Sequence, residues 1–215
     1  MNFLDKMFLV GTAMVSVFAL WSIGNRVSNS ESRHHSDYYH GIALAVLGVA
    51  SLLLTFLGWG ILGIMGEGTS NKLVAIVSSL IPFAWATGLV SRFYPKYEKV
   101  FMGTIILGLV LITASRFMDA ALLSRIVYPV FHSTAGIVVI ATPILAYKRQ
   151  LVNVNFLMVS IGGTLISAAG ISMAFLSGGK QLLFFSKEFV LMIMAPLLFV
   201  TILLYAVGML RGEKR

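Results

Sequence analysis

Long apolar runs dominate this chain, interrupted only by short polar clusters. Seven stretches hold the roughly 20 mostly apolar residues that a helix needs to cross a hydrocarbon layer of about 30 Å: residues 7–24, 40–65, 73–93, 100–115, 121–147, 155–176 and 183–210. None shows the strict alternation of a lipid-facing barrel strand. The pattern predicts an all-α fold, a polytopic bundle of seven transmembrane helices that makes one domain of residues 1–215.

The links are short. The longest, residues 25–39, reads NRVSNSESRHHSDYY, and the others are GEGTSN, YPKYEK, RFMD, KRQLVN and SGGKQ. Links of this size make consecutive helices antiparallel neighbours. They leave no aqueous domain to carry chemistry, so function is expected within the bilayer or at its two faces. The first run is flanked by Lys6 and Asp5 and followed by Asn25, Arg26 and Val27. It lacks the positive leader and small-residue cleavage site of a signal peptide and reads as a retained helix.

Composition supports this reading. Hydrophobic residues make up 58% of the chain and charged residues 11%, whereas a soluble domain needs about a quarter of its residues charged. The absence of cysteine excludes disulfides, thiolate-bound clusters, cysteine-ligated zinc and thiol catalysis. The net charge of +8 does not point to nucleic acid, because the basic residues stand in small groups at the ends of apolar runs, where they anchor and orient helices. The expected partner is the lipid bilayer, joined by other membrane subunits or further copies of the chain.

Orientation follows from those basic groups. One side collects Arg26, Arg33, Arg92, Lys96, Lys99, Lys148, Arg149, Arg211, Lys214 and Arg215, against Lys6, Lys72, Arg116, Arg125, Lys180 and Lys187 on the other. The excess places the C-terminus in the cytoplasm and the N-terminus outside, in a multi-pass protein of the cell membrane.

Small residues at four-residue spacing predict close helix packing. The sixth helix has Ser160, Thr164 and Ala168, then Gly170, Ala174 and Gly178, and is expected to be central. The second has Gly41 and Ala45, then Gly58, Gly60, Gly63 and Gly66. Pro82, Pro129, Pro143 and Pro196 fall inside predicted helices, where each removes a hydrogen bond and favours a kink.

Ionisable residues inside spans are costly and mark paths, pairs or ligands. Arg116, Asp119, Arg125, His132, Lys187 and Glu188 lie near the predicted outer ends of the fourth, fifth and seventh helices. Arg116 and Asp119 are three residues apart and can pair locally. Snorkelling or local pairing at the interface is the competing explanation for all of them except His132. That histidine, in YPVFHSTAG, is expected to be the deepest ionisable side chain, fit for proton transfer, ligation or a buried hydrogen bond. A bis-histidine haem site is not supported, because His34, His35 and His40 belong to the first link or its border. Met173, Met192 and Met194 offer only an unspecific alternative ligand.

The segment HHSDYYH sets His34, His35, Asp37 and His40 close together. Imidazoles and a carboxylate suit zinc, copper or nickel, and Asp37 and His40 share a helix face if the second helix begins early enough. Adjacent histidines diverge, so a metal ion here is expected mainly of His35, Asp37 and His40, and a solvated loop pair is the plainer alternative. Hydrolase, phosphate-loop, metalloprotease and dinucleotide motifs are absent. A retinal pigment would need a lysine in the middle of the last helix, and Lys187 stands only at its start. The resemblance of HGIALAVLGVASLLL to HSTAGIVVIATPILA is attributed to shared apolar composition.

Three functions remain in view. One is a small transporter or channel with a polar vestibule at the outer ends of helices four, five and seven. The second is a structural or redox-associated membrane subunit of a larger complex. The third is a metal-dependent membrane enzyme using His34, His35, Asp37 and His40.

Overall fold

The structure is a computed structural model, described here for residues 1–28, 34–62, 72–118, 121–177 and 182–212. The described residues form seven α-helices: α1 (Phe3–Ser28), α2 (His35–Leu57), α3 (Lys72–Phe93), α4 (Glu98–Phe117), α5 (Ala121–Lys148), α6 (Leu157–Ser177) and α7 (Lys187–Gly212). All seven are long and apolar enough to cross a membrane. Short 3-10 turns at Trp59–Leu62, Pro95–Tyr97 and Val154–Phe156 complete the secondary structure.

The main departure from the sequence pattern is α2, which starts at His35 rather than near residue 40 and ends at Leu57 rather than near 65. Asp37 accepts a hydrogen bond from the His34 N–H at 3.3 Å, satisfying one orphan donor of the new helix end. Polarity therefore hid a helix start that hydropathy alone placed one turn later. At the other end, Gly58 takes φ +71°, a left-handed conformation that stops the helix.

Six helices close a ring, in which α1 meets α2, α2 meets α3, α3 meets α5, α5 meets α6, α6 meets α7, and α7 returns to α1. Helix α4 lies outside the ring against α3 and α5. Every consecutive pair is in contact, as the short links require. The most enclosed span is α3, not α6, which among the described residues packs mainly on α5, α7 and the adjoining turn. The expectation of a central α6 fails because its small residues serve two flanking contacts. Gly162 admits the Tyr205 ring and Gly163 admits Val139, while Thr164 and Ala168 face outward. Ser160 does join helices, donating from Oγ to the Ile140 carbonyl at 2.7 Å, near the Pro143 position where the α5 ladder is interrupted. In α2 the close approach is at Gly48 against Ser16, whereas Gly58 and Gly60 face open space. Gly63, Gly66 and Gly178 lie outside the described residues.

Burial is distributed inside out relative to a soluble protein. Val17 and Trp21 of α1, Val49 and Phe56 of α2, and Ile106 and Val110 of α4 are exposed, while Thr12, Ser16, Ser51, Ser79 and Thr87 are buried. Several of the buried hydroxyls satisfy themselves within their own helix, Ser16 to the Thr12 carbonyl and Thr87 to the Phe83 carbonyl, each at 2.8 Å. An apolar exterior over a polar-seeded interior suits a hydrocarbon solvent, where every polar group must find an internal partner.

Candidate functional site

Two polar clusters touch α3, one near each of its ends. The first occupies the end that holds the C-termini of α1 and α3 and the N-termini of α2 and α4. Arg26 Nη2 lies 3.5 Å from Asp37 Oδ1, with the Asp37 side chain only 2% exposed. One turn further along α2, His40 is 1% exposed and packs its ring against Trp85, centroids 5.2 Å apart. Trp85, 2% exposed, stacks in turn on Tyr205 of α7 at 4.3 Å and 26°. These three rings fill the middle of the helix ring. Gly88 makes room for them, since a Cβ there would stand 2.5 Å from His40 Nε2.

Neither His40 ring nitrogen makes a hydrogen bond, nor does Trp85 Nε1. One imidazole nitrogen leans toward the Trp85 carbonyl without reaching hydrogen-bond geometry, and Arg26 and Arg92 are near enough for their charges to act on the ring. At the rim of the same end, the Tyr39 hydroxyl donates to Glu98 Oε1 at 2.9 Å, and His35 Nδ1 stands 3.7 Å from that oxygen.

The second cluster joins α3, α4 and α5. The Arg116 guanidinium sits over the Tyr128 ring at 5.9 Å, and Tyr128 stacks on His132 at 5.2 Å and 22°. The Tyr128 hydroxyl lies 3.4 Å from Ser78 Oγ of α3. Arg116 Nε and His132 Nδ1 are buried without a hydrogen-bond partner.

Protein-family models, characterised proteins and solved structures were all compared with this chain, and none of them matches it. The site must speak for itself.

The sequence-derived candidates are only partly brought together. Arg116 and His132 meet through Tyr128. Asp119 and the Arg125 side chain lie outside the described residues. Lys187 and Glu188 open α7, which packs mainly on α1 and α6, whereas Arg116 and His132 belong to α4 and α5. The deepest imidazole is His40, not the half-buried His132. The hydropathy pattern puts His40 at the border of a link, and the early start of α2 carries it into the interior.

The HHSDYYH residues also separate. Asp37 and His40 do share the buried face of α2, but Asp37 turns to Arg26 and His40 to Trp85. His34 and His35 are exposed, and His35 leans toward Glu98. No group of three metal-ligating side chains converges among the described residues. Of the methionines considered as haem partners, Met192 is exposed, and Met194 packs with Leu9 and Trp59 on the far side of the bundle from α5. The Met173 side chain lies outside the described residues. Sequence reasoning missed Trp85 and Tyr205. The available signal was the seven-residue spacing of Ser78, Trp85 and Arg92 along α3.

Proposed function

We propose that this chain is a small membrane transporter or channel that crosses the bilayer seven times, with its N-terminus outside and its C-terminus in the cytoplasm. A polar solute passes along the inner face of α3. The observation that carries this reading is the polar stripe Ser78, Trp85 and Arg92. Residues seven apart return to the same helix face, and two such steps climb about 21 Å, most of a ~30 Å hydrocarbon layer. Ser78 meets Tyr128 of the Arg116–His132 cluster, and Trp85 meets His40 midway. Arg92 stands near His40 in the last turn of α3 at the basic end. Pro82 lies between them and has no N–H to offer the Ser78 carbonyl, which gives the stripe a bending point.

Both His40 ring nitrogens and His132 Nδ1, buried beside this stripe, make no hydrogen bond, and ionisable groups at such depth are costly and mark solute or proton pathways. Flux through the purified chain in liposomes tests the reading. His132→Ala and His40→Phe should each slow the flux by about tenfold or more, the scale of one lost hydrogen-bonding group. Equal flux in empty and protein-containing vesicles, across ions and small polar solutes, would remove it.

One observation favours a second reading, a subunit of a larger membrane assembly. Helix α4 is peripheral, and Gly103 on it faces open space, a position where another helix can approach closely. Partner proteins retained in mild detergent, together with no flux by the chain alone, would favour that alternative.

A further inference from the structure

The basic end carries more positive charge than its own carboxylates answer. Its described carboxylates are Asp37, paired with Arg26, and Glu98, which faces α2 through the Tyr39 hydroxyl and His35. Lys96, Lys148 and Arg149 are exposed and have no carboxylate partner among the described residues. These three stand together. Arg149, just past the end of α5, holds its guanidinium 5.3 Å from the centre of the Tyr94 ring in the link after α3. Lys148 precedes it, and Lys96 follows Tyr94 by two residues, within about 7 Å of backbone. The Lys96 ammonium lies 5.8 Å from the Tyr97 ring. A ring attracts a cation without cancelling its charge, so both keep their N–H donors for an anion.

The backbone under these cations is fixed. Gln150 takes φ 58°, and the Gln150 and Leu151 N–H groups donate to the Tyr147 and Ala146 carbonyls at 2.8 and 3.0 Å, the paired bonds that close a helix tightly. Further along the link, the Asn153 N–H donates to the Gly212 carbonyl at 2.9 Å. Little backbone ordering remains for a ligand to impose. Away from the cations the surface turns apolar. Ile144 and Ile137 of α5 are 36% and 64% exposed. They share nearly one face with Lys148, because steps of four and eleven residues both return close to the starting direction. Eleven residues rise about 16 Å, the depth of one leaflet in a ~30 Å hydrocarbon layer.

We infer that Lys96, Lys148 and Arg149 form a binding site for an anionic phospholipid, with its phosphate among them and an acyl chain along Ile144 and Ile137. The inference stands on the seven membrane-length helices and is independent of the passage of any solute. Charge selects the lipid. A zwitterionic headgroup brings its own ammonium to the three cations, whereas an anionic one brings only the phosphate they lack. The guanidinium fork suits phosphate in particular, since two of its N–H groups can reach two phosphate oxygens at once.

The test mixes the full chain, purified in mild detergent at low salt, with limiting and equal amounts of phosphatidylglycerol and phosphatidylcholine bearing the same acyl chains. Native mass spectrometry identifies the first lipid bound. Phosphatidylglycerol should be favoured about a hundredfold, roughly fivefold for each cation. Arg149→Gln should lower that preference about fivefold, and Lys96→Gln, Lys148→Gln and Arg149→Gln together should bring it near unity. Lys6→Gln, Lys72→Gln and Lys187→Gln remove the same charge from the opposite end and should leave it unchanged. Should the triple variant not fold, Arg149→Gln alone decides. Equal retention of the two lipids overturns the site, as does a preference that survives loss of the three cations or falls equally with the opposite-end variant. Displacement of phosphatidylglycerol by an equal concentration of glycerol phosphate would assign the cations to a free anion and overturn the lipid.

Discussion

Gly88→Ala offers the sharpest test of the His40–Trp85 packing. The new Cβ would sit 2.5, 2.7 and 2.9 Å from His40 Nε2, Cδ2 and Cε1, where ordinary contact begins at 3.4 Å. The ring would have to retreat by nearly an ångström. It has nowhere to go, being 1% exposed and backed by Trp85, which is itself stacked on Tyr205. Overpacking of this kind costs about 1–3 kcal/mol, against a gain of roughly 1 kcal/mol from replacing a helical glycine by alanine. A net loss of about 0–2 kcal/mol follows from those two magnitudes. Gly103→Ala is the control, because nothing lies within 4 Å of its Cβ, so only the propensity gain remains. The decisive variant is Gly88→Ala in a His40→Ala background. With the obstructing ring gone, the alanine should become stabilising, a coupling of about 1–3 kcal/mol between the two positions. Reversible unfolding in mixed micelles on titration with SDS, followed by far-ultraviolet circular dichroism, measures all four corners of the cycle. If Gly88→Ala costs the same with and without the imidazole, His40 does not pack against α3 in this way and the central stack is wrong.

Asp37→Asn should destabilise the bundle by about 2–3 kcal/mol in the same assay, below the ~3–5 kcal/mol of a fully buried pair, because the Arg26 side chain keeps 20% exposure. Restoring wild-type stability with Arg26→Met in that background would support the pairing, and an unchanged Asp37→Asn midpoint would refute it. Ser160→Ala removes the interhelical bond to the Ile140 carbonyl and should cost about 0.6 kcal/mol, not beyond ~1.7 kcal/mol. A larger loss would mean that Ser160 does more than tie α6 to α5. His35→Ala should shift stability by less than ~0.5 kcal/mol, since its side chain is 81% exposed and Glu98 stands 3.7 Å away. A larger shift, or a zinc-dependent one, would return the HHSDYYH segment to the list of metal sites.

Hydropathy made the helices legible because each must be apolar along its whole length, whatever lies next to it. The apolar runs 121–147 and 183–210 nearly coincide with α5 (Ala121–Lys148) and α7 (Lys187–Gly212). The start of α2 was not, because its first turn is polar and buried: Ser36, Asp37 and His40 satisfy themselves against protein rather than water. Periodicity also failed to say which face of a helix meets which neighbour. In lipid the outer face is as apolar as the inner one, so of the stripe Ser160, Thr164, Ala168 only Ser160 meets a neighbouring helix, and Gly162 and Gly163 complete the interface. The Arg116–His132 proximity followed from chain order, since α4 and α5 are joined by a short link. The His40–Trp85–Tyr205 stack did not, because it joins α2 and α3 to a helix more than a hundred residues away.

The two ends of the bundle are held by different chemistry, and this bears on which end can open. At the basic end, polar contacts cross between links: Tyr39 to Glu98, Asn153 Nδ2 to the Arg211 carbonyl at 2.6 Å, the Asn153 N–H to the Gly212 carbonyl at 2.9 Å, and Arg149 over the Tyr94 ring at 5.3 Å. Each bond is directional and fixes a distance, so together they hold the starts of α2 and α4, the link after α5 and the end of α7 in one register. At the opposite end aromatic contacts, Phe8 with Phe199 and Phe184 with Phe185 and Phe189, and the cations Lys72 over Phe117 and Arg116 over Tyr128 stand beside the Ser78–Tyr128 hydrogen bond. Dispersion tolerates sliding at small cost per contact, whereas a stretched hydrogen bond is lost outright. A transporter built this way would keep its basic end registered and move at the other, with the bending point at Pro82 falling between the fixed His40–Trp85 stack and the mobile Ser78–Tyr128 contact. On that division His40 would stay with the registered end and His132 would belong to the half that moves.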